Sequence, residues 1–164
     1  MRGLTFATAT MDDAEELAAL RNSVRDDFAQ RFGIGGPNTT ARGPLSDMRH
    51  GQILIARFKR AIVGSVVLVR KKPWAIDVSY FTPAARPVYV ISMNTLPAMQ
   101  HKGIGSRLMK HAIVTAKAEG HDTVRLDAFD AAHGAGAFYL KCGFAPRGRA
   151  TYRDSPLFYF EWLL

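Results

Sequence analysis

Apolar and polar positions along the chain follow two rhythms, one of period two and one of helical period. Leu4 to Ala9 alternates and predicts a short strand. Thr10-Met11-Asp12-Asp13 then reads as a helix start, with Thr10 as cap and acids in the first turn. Met11, Ala14, Leu17, Ala18, Val24 and Phe28 recur at helical spacing behind it. Gly33-Ile34-Gly35-Gly36-Pro37-Asn38 interrupts the pattern as a loop. A short helix over Pro44–Arg49 leads into strands Gln52–Phe58 and Ala61–Val69, an antiparallel hairpin turning tightly at Lys59-Arg60. Pro73, Pro83 and Pro87 make residues 73–87 mostly loop.

The second half has a different grammar. Val88–Met93 is a nearly continuous apolar run, as in a central strand. A helix from about Gly103 to Glu119 carries the stripe Ile104, Leu108, Ala112, Ile113 and Ala116, and Gly120 closes it. Thr123–Ala128 is the next strand, and the strand–helix–strand unit from Val88 to Ala128 predicts a right-handed parallel crossover. Asp130 is placed to cap a helix through Ala131 to Lys141, ended by Gly143. Two last strands follow near Ala145–Tyr152 and Leu157–Leu163, joined by Arg153-Asp154-Ser155-Pro156. The fold class is α/β, a mixed central β-sheet flanked by helices, and 164 residues suit a single domain over 1–164.

Composition narrows the class further. Nearly half the residues are apolar (48%), enough for a real core. No apolar run is long enough to span a bilayer, and Asp12 and Asp13 come too early for a secretory signal, so a soluble cytoplasmic protein is expected. Cys142 is the single cysteine, which excludes an internal disulfide. His50, His101, His111, His121 and His133 lack metal-ligand spacing, and no metal is expected. The net charge of +8 is uneven: residues 1–27 carry −3, leaving +11 on the remainder. A basic body suits a phosphorylated partner, although a solvated basic surface explains the charge as well. Nucleic acid is disfavoured, because no basic face interleaved with aromatics and no binding motif is present.

One segment changes this picture. Gln100-His101-Lys102-Gly103-Ile104-Gly105 stands where a strand gives way to a helix. A helix N-terminus offers unpaired N–H groups and a partial positive charge, and both suit a phosphate. Gly103 and Gly105 let a ligand oxygen approach the backbone, and His101, Lys102 and Ser106 add donors. Gly-x-Gly alone is weak, and Gly33-Ile34-Gly35 is a decoy without a strand before it. The segment is not a dinucleotide fingerprint, since Met109 stands near the third glycine position, nor a P-loop.

Together with Ala135-Gly136-Ala137-Phe138-Tyr139-Leu140-Lys141-Cys142-Gly143-Phe144, the segment resembles the two signatures of the GNAT superfamily of acyl-CoA-dependent N-acyltransferases. The resemblance covers about residues 88–144. It implies acetyl-CoA as cosubstrate, with its pyrophosphate on the backbone of Gln100, His101, Lys102, Gly103, Ile104, Gly105 and Ser106. It implies a pantetheine arm along Met93, Asn94 and Thr95 and beside Phe138 and Tyr139, where the central strands splay. It also implies a backbone amide at Met93 that polarises the thioester carbonyl. The asparagine usual at the start of the second helix is replaced by Ala132, beside His133.

Acyl transfer to an amine needs a proton acceptor, a polarised carbonyl and a protonated leaving thiolate. Tyr139 is the candidate general acid, against the alternative of a core tyrosine anchoring its helix. Asp127 is the candidate base, against a structural role beside Asp130; Ser92 and Tyr89 are alternatives that would position a water. Asp26 and Asp27 could attract a cationic amine or simply end a solvated helix. Cys142 reads as a small packed side chain. Trp74, Tyr80 and Phe81 could shape a substrate pocket, form a homodimer contact or pack locally. The expected acceptor is a small-molecule or peptide amine. A CoA-binding sensor without efficient catalysis is the competing function.

Overall fold

The computed structural model describes residues 2–164. In chain order the elements are strand β1 (Leu4–Thr8), helices α1 (Ala14–Phe32) and α2 (Arg42–His50), strands β2 (Gly51–Phe58), β3 (Ala61–Val69) and β4 (Pro87–Thr95), helix α3 (Ile104–Ala118), strand β5 (Thr123–Phe129), helix α4 (Gly136–Lys141), and strands β6 (Ala145–Tyr152) and β7 (Ser155–Leu163). The strands form one mixed seven-stranded sheet in the order β1-β2-β3-β4-β5-β7-β6. Among the described residues no helix is long and apolar enough to cross a membrane.

The chain divides into two compact units, one holding residues up to Leu68 with Ser92–Ala112, the other Val69–Ile91 with Ile113–Leu164. In the first, β1 lies antiparallel to β2, from Leu4↔Phe58 to Thr8↔Leu54. Ile53, Leu54, Val66, Val67, Leu17 and Leu108 are each at most 1% exposed. Thr10 opens the first helical turn as expected: its N–H donates to the Asp13 carboxylate at 2.8 Å. The first turn is a tighter 3₁₀ turn over Met11–Asp13, and α1 proper begins at Ala14. Arg57 on β2 then bonds Asp13 and pairs with Glu16 at 3.2 Å, so the acids expected to favour the helix dipole also fasten α1 to the hairpin.

In the second unit β4 and β5 are parallel, and their ladder runs from Pro87↔Thr123 to Tyr89↔Arg125. Both strands continue beyond it, β4 to Thr95 and β5 to Phe129, so the ladder covers only the first part of each. Burial records the change: Val88, Tyr89 and Val90 are buried, while Ile91 is 44% exposed. On its other side β5 pairs along its whole length with β7, from Thr123↔Leu163 to Phe129↔Leu157. The joint between β6 and β7 is shorter than the four residues expected. Tyr152 pairs directly with Ser155, and Arg153 and Asp154 make the turn with φ of 46° and 63°.

One element differs more. The helix expected from Ala131 begins only at Gly136, and Asp130 caps nothing. Its N–H donates to Pro156 O at 2.9 Å and its carboxylate takes Arg149 Nε at 2.8 Å, which ties it to the last two strands. The chain instead folds back tightly, with Gly134 N–H on Ala131 O at 2.8 Å. A Cβ on Gly134 would lie 1.9 Å from Phe129 O, so this turn excludes any larger residue.

Candidate active site

After β4 the chain makes a 3₁₀ turn over Pro97–Met99 and enters α3 through the glycine-bearing loop. The strand end is held from both sides: Leu96 N–H donates to Val63 O at 2.9 Å, and Gln100 Nε2 to Thr95 O at 3.3 Å. His101 and Gly103 adopt left-handed backbone, with φ of 58° and 76°. Such positions within a tight turn aim successive N–H groups into a common concavity. Among the described residues, the backbone N–H groups of His101 to Ser106 have no acceptor; the next, Arg107 N–H, donates to Gly103 O at 3.2 Å. They point out of the positive end of α3 and are the donors an anion needs. No atom lies within 4 Å of a Cβ built on Gly103, so the approach is open.

The helix end is positioned by apolar packing. Ile104 is 1% exposed, and on β3 the absent side chain of Gly64 leaves room for it: a Cβ there would be 3.3 Å from Leu108 and 3.5 Å from Ile104. Ile104 therefore offers a ligand only its backbone. The polar side chains are arranged differently from expectation. Lys102 Nζ folds back to Ala98 O at 2.9 Å, Gln100 is turned toward Thr95, and His101 and Ser106 lie exposed. The donors left unengaged at this loop are its backbone amides. On β4, Met93, Asn94 and Thr95 are half-buried, and Asn94 Nδ2 donates to Ser92 Oγ at 3.0 Å.

In the second unit, Tyr139 is only 7% exposed, and its ring meets Phe138, Phe144 and Phe160 at 5.2 to 5.8 Å between centroids. Its hydroxyl makes no protein hydrogen bond among the described residues. Burial, assisted by the nearby Asp127 carboxylate and Cys142, pushes its pKa well above the ordinary phenol value. Tyr139 is thus a protonated donor without an assigned acceptor. Tyr159 is the contrast: its hydroxyl donates to Ala75 O and accepts from Asp77 N–H, a structural use of both capacities.

Asp127 sits mid-strand on β5, directly across from Tyr159 in the ladder. Burial raises its pKa above the usual carboxylate value, against the lowering effect of its own backbone N–H. Neighbouring positions in a strand face opposite ways. Leu126 and its partner Phe160 share the face on which Tyr139 packs, so Asp127 projects from the other face. The candidate acid and the candidate base therefore approach β5 from opposite sides of the sheet.

The sequence model of the acetyltransferase (GNAT) family matches residues 17–144, which take in the α3 loop, Asp127 and Tyr139. The chain belongs to this family. A comparison with curated proteins gives no match. Among solved structures the GNAT chain is similar to an N-acetyltransferase from Staphylococcus aureus, with TM-score 0.70, 19% identity and 98% of each chain covered. It is also similar to yncA from Salmonella typhimurium, a structure with its cofactor acetyl-CoA, with TM-score 0.71, 14% identity, and 99% and 95% of the two chains covered. A third is the ribosomal-protein-S18-alanine N-acetyltransferase from Escherichia coli, with TM-score 0.70, 11% identity, and 98% and 93% covered. These likenesses concern the fold; the family supports acetyl transfer as the general reaction.

Other candidates of this GNAT chain fare unequally. Asp26 bonds Arg25, and Asp27 pairs with Arg31 at 3.3 Å, so neither is an unneutralised charge for an amine. Trp74 is 81% exposed, whereas Phe81 is buried against Tyr159. Sequence reasoning missed an ion cluster that joins the buried Arg125 and Glu161 to the half-buried Arg147. Its signal was Arg125 and Glu161 set inside two largely apolar strands, and only the β5–β7 register, which places Arg125 opposite Glu161, turns those charges into a pair.

Proposed function

We propose that residues 1–164 act as one N-acetyltransferase domain that moves an acetyl group from acetyl-CoA directly to a primary amine. The observation that supports this most is the row of unpartnered backbone N–H groups from His101 to Ser106 at the start of α3. A diphosphate suits that row by charge and by donor geometry. Bound acetyl-CoA supplies an acyl group already activated as a thioester. The loop amides hold its pyrophosphate, and the open face of Gly103 admits the phosphate oxygens. Met93 donates its backbone N–H to the acyl carbonyl, Asn94 and Thr95 line the arm, and Phe138 packs beside Tyr139.

In this reading Asp127 accepts the proton that the ammonium must lose, and its raised pKa makes it a better base than an ordinary carboxylate. Tyr139 donates a proton to the departing thiolate, and burial keeps that proton in place over the whole working range.

The test is acetyl-CoA turnover across a panel of primary amines, followed by Tyr139→Phe on the best substrate. Turnover of at least one amine is expected, with kcat for the variant lower by about 10²-fold, the lower range for general acid catalysis, and acetyl-CoA affinity retained. An unchanged kcat rejects Tyr139 as the acid. Acetyl-CoA binding without turnover of any amine favours a CoA-sensing module over an enzyme.

A further inference from the structure

The face of the sheet that carries Asp127 is covered by residues 75–82 of the long loop before β4. Two anchors hold this strap. At one end the Tyr159 hydroxyl donates to Ala75 O and accepts the Asp77 N–H at 3.3 Å. At the other end all three polar groups of Thr82 are bonded by charged side chains. Its N–H donates to Glu161 Oε2 at 3.2 Å, its carbonyl accepts from Arg125, and its hydroxyl accepts from Arg147 Nη2 at 2.9 Å. The three charged residues are themselves joined, Arg125 and Arg147 each lying 3.2 Å from Glu161. Glu161 and Arg125 are 2% and 4% exposed.

Between the anchors, Asp77 takes the Ser79 N–H at 3.0 Å and caps a 3₁₀ turn over Val78–Tyr80. Tyr80 lies edge-on to Tyr159 at 5.1 Å, and its ring comes within 2.8 Å of where Gly148 would carry a Cβ, so β6 makes room for it. Phe81 packs between Tyr159 and the Arg125 guanidinium, which stands 5.1 Å from its ring centroid. The strap thus rests on Tyr159, the ladder partner of Asp127.

Buried ion clusters stabilise poorly compared with apolar side chains of the same shape. This one has a positional use instead. We infer that Arg125, Glu161 and Arg147 are positioning residues that clamp Thr82 and hold the strap Ala75–Thr82 as a fixed wall of the acceptor subsite beside Asp127. The acceptor part of this inference rests on the acetyltransferase reading; the clamp itself does not.

The test uses the full chain with Thr82→Val, which removes one hydroxyl at constant shape, Arg147→Met, which removes its donor, and Thr82→Ser, which restores the hydroxyl. Hydrogen exchange is followed across residues 73–82, KM is measured for the best amine of the panel, and acetyl-CoA affinity is measured by calorimetry. Thr82→Val and Arg147→Met are expected to speed exchange in the strap and to raise the amine KM by roughly tenfold, the scale of one hydrogen bond to a charged group. Acetyl-CoA affinity and kcat at saturating amine stay at their starting values, and Thr82→Ser returns both readouts. Unchanged exchange in both variants overturns the clamp, and faster exchange with an unchanged amine KM overturns the wall. Absence of turnover with every amine defeats the acetyltransferase reading instead, and the exchange rates then decide the clamp alone.

Discussion

Burial acts in the same sense on the two titratable residues of the proposed chemistry, favouring the protonated form of each. For Tyr139 it strengthens the hold on a proton that the leaving group will need. For Asp127 it disfavours the charge that the folded chain must carry at neutral pH. The unfolded chain ionises Asp127 at the ordinary carboxylate value, and the fold raises it. Its contribution to stability is therefore full below the ordinary value and is lost as pH rises through the raised one. Asp127→Asn is expected to melt higher than the parent at neutral pH while losing about 10²-fold in amine turnover, together with the acid limb of its pH profile. Unchanged turnover would remove Asp127 from the mechanism. Tyr139 was legible in the sequence because Phe138-Tyr139 and Gly143-Phe144 form a local signature. The partner of Asp127 was not legible, because Tyr159 is set by strand register rather than by spacing.

At the level of elements, helices and strands with a clear period appear nearly where the pattern puts them. The helix expected from about Gly103 to Glu119 is Ile104–Ala118, and Gly120 terminates it with φ of 77°. Pro44–Arg49 grows to Arg42–His50. The misread element is the one whose start rests on a single cap residue. Asp130 has the right chemistry for a cap, but Arg149 on β6 claims its carboxylate, and that partner lies outside any local window. Gly134 is the clearer marker in hindsight, since only glycine fits against Phe129 O. Gly134→Ala is expected to lower stability by about 2 kcal/mol, as overpacking does when backbone must move. Denaturant unfolding checks this, and a variant as stable as the parent would show that the turn before α4 tolerates a different path.

At the scale of the molecule, the mixed sheet was legible as a class but its order was not. The sequence pattern shows that β6 and β7 form a hairpin, yet nothing local says that β7 pairs with β5 and leaves β6 at the edge. The positive charge is likewise redistributed by folding: Arg57, Arg21 and Arg31 are used on the acids of α1 and α2, and Arg125 and Arg147 on Glu161. The loop before α3 is the exception, where the unengaged donors belong to the backbone and survive in the folded chain. In the proposed function these amides hold a pyrophosphate. The most direct test is calorimetric titration at low salt of acetyl-CoA against acetyl-pantetheine, which lacks the phosphates, on the parent and on Gly103→Val. Acetyl-CoA is expected to bind the parent at least about 10²-fold more tightly than acetyl-pantetheine, the loss of two charge-assisted hydrogen bonds, and Gly103→Val is expected to erase most of that difference. Equal affinity for the two ligands, or no binding of acetyl-CoA, would contradict the proposal.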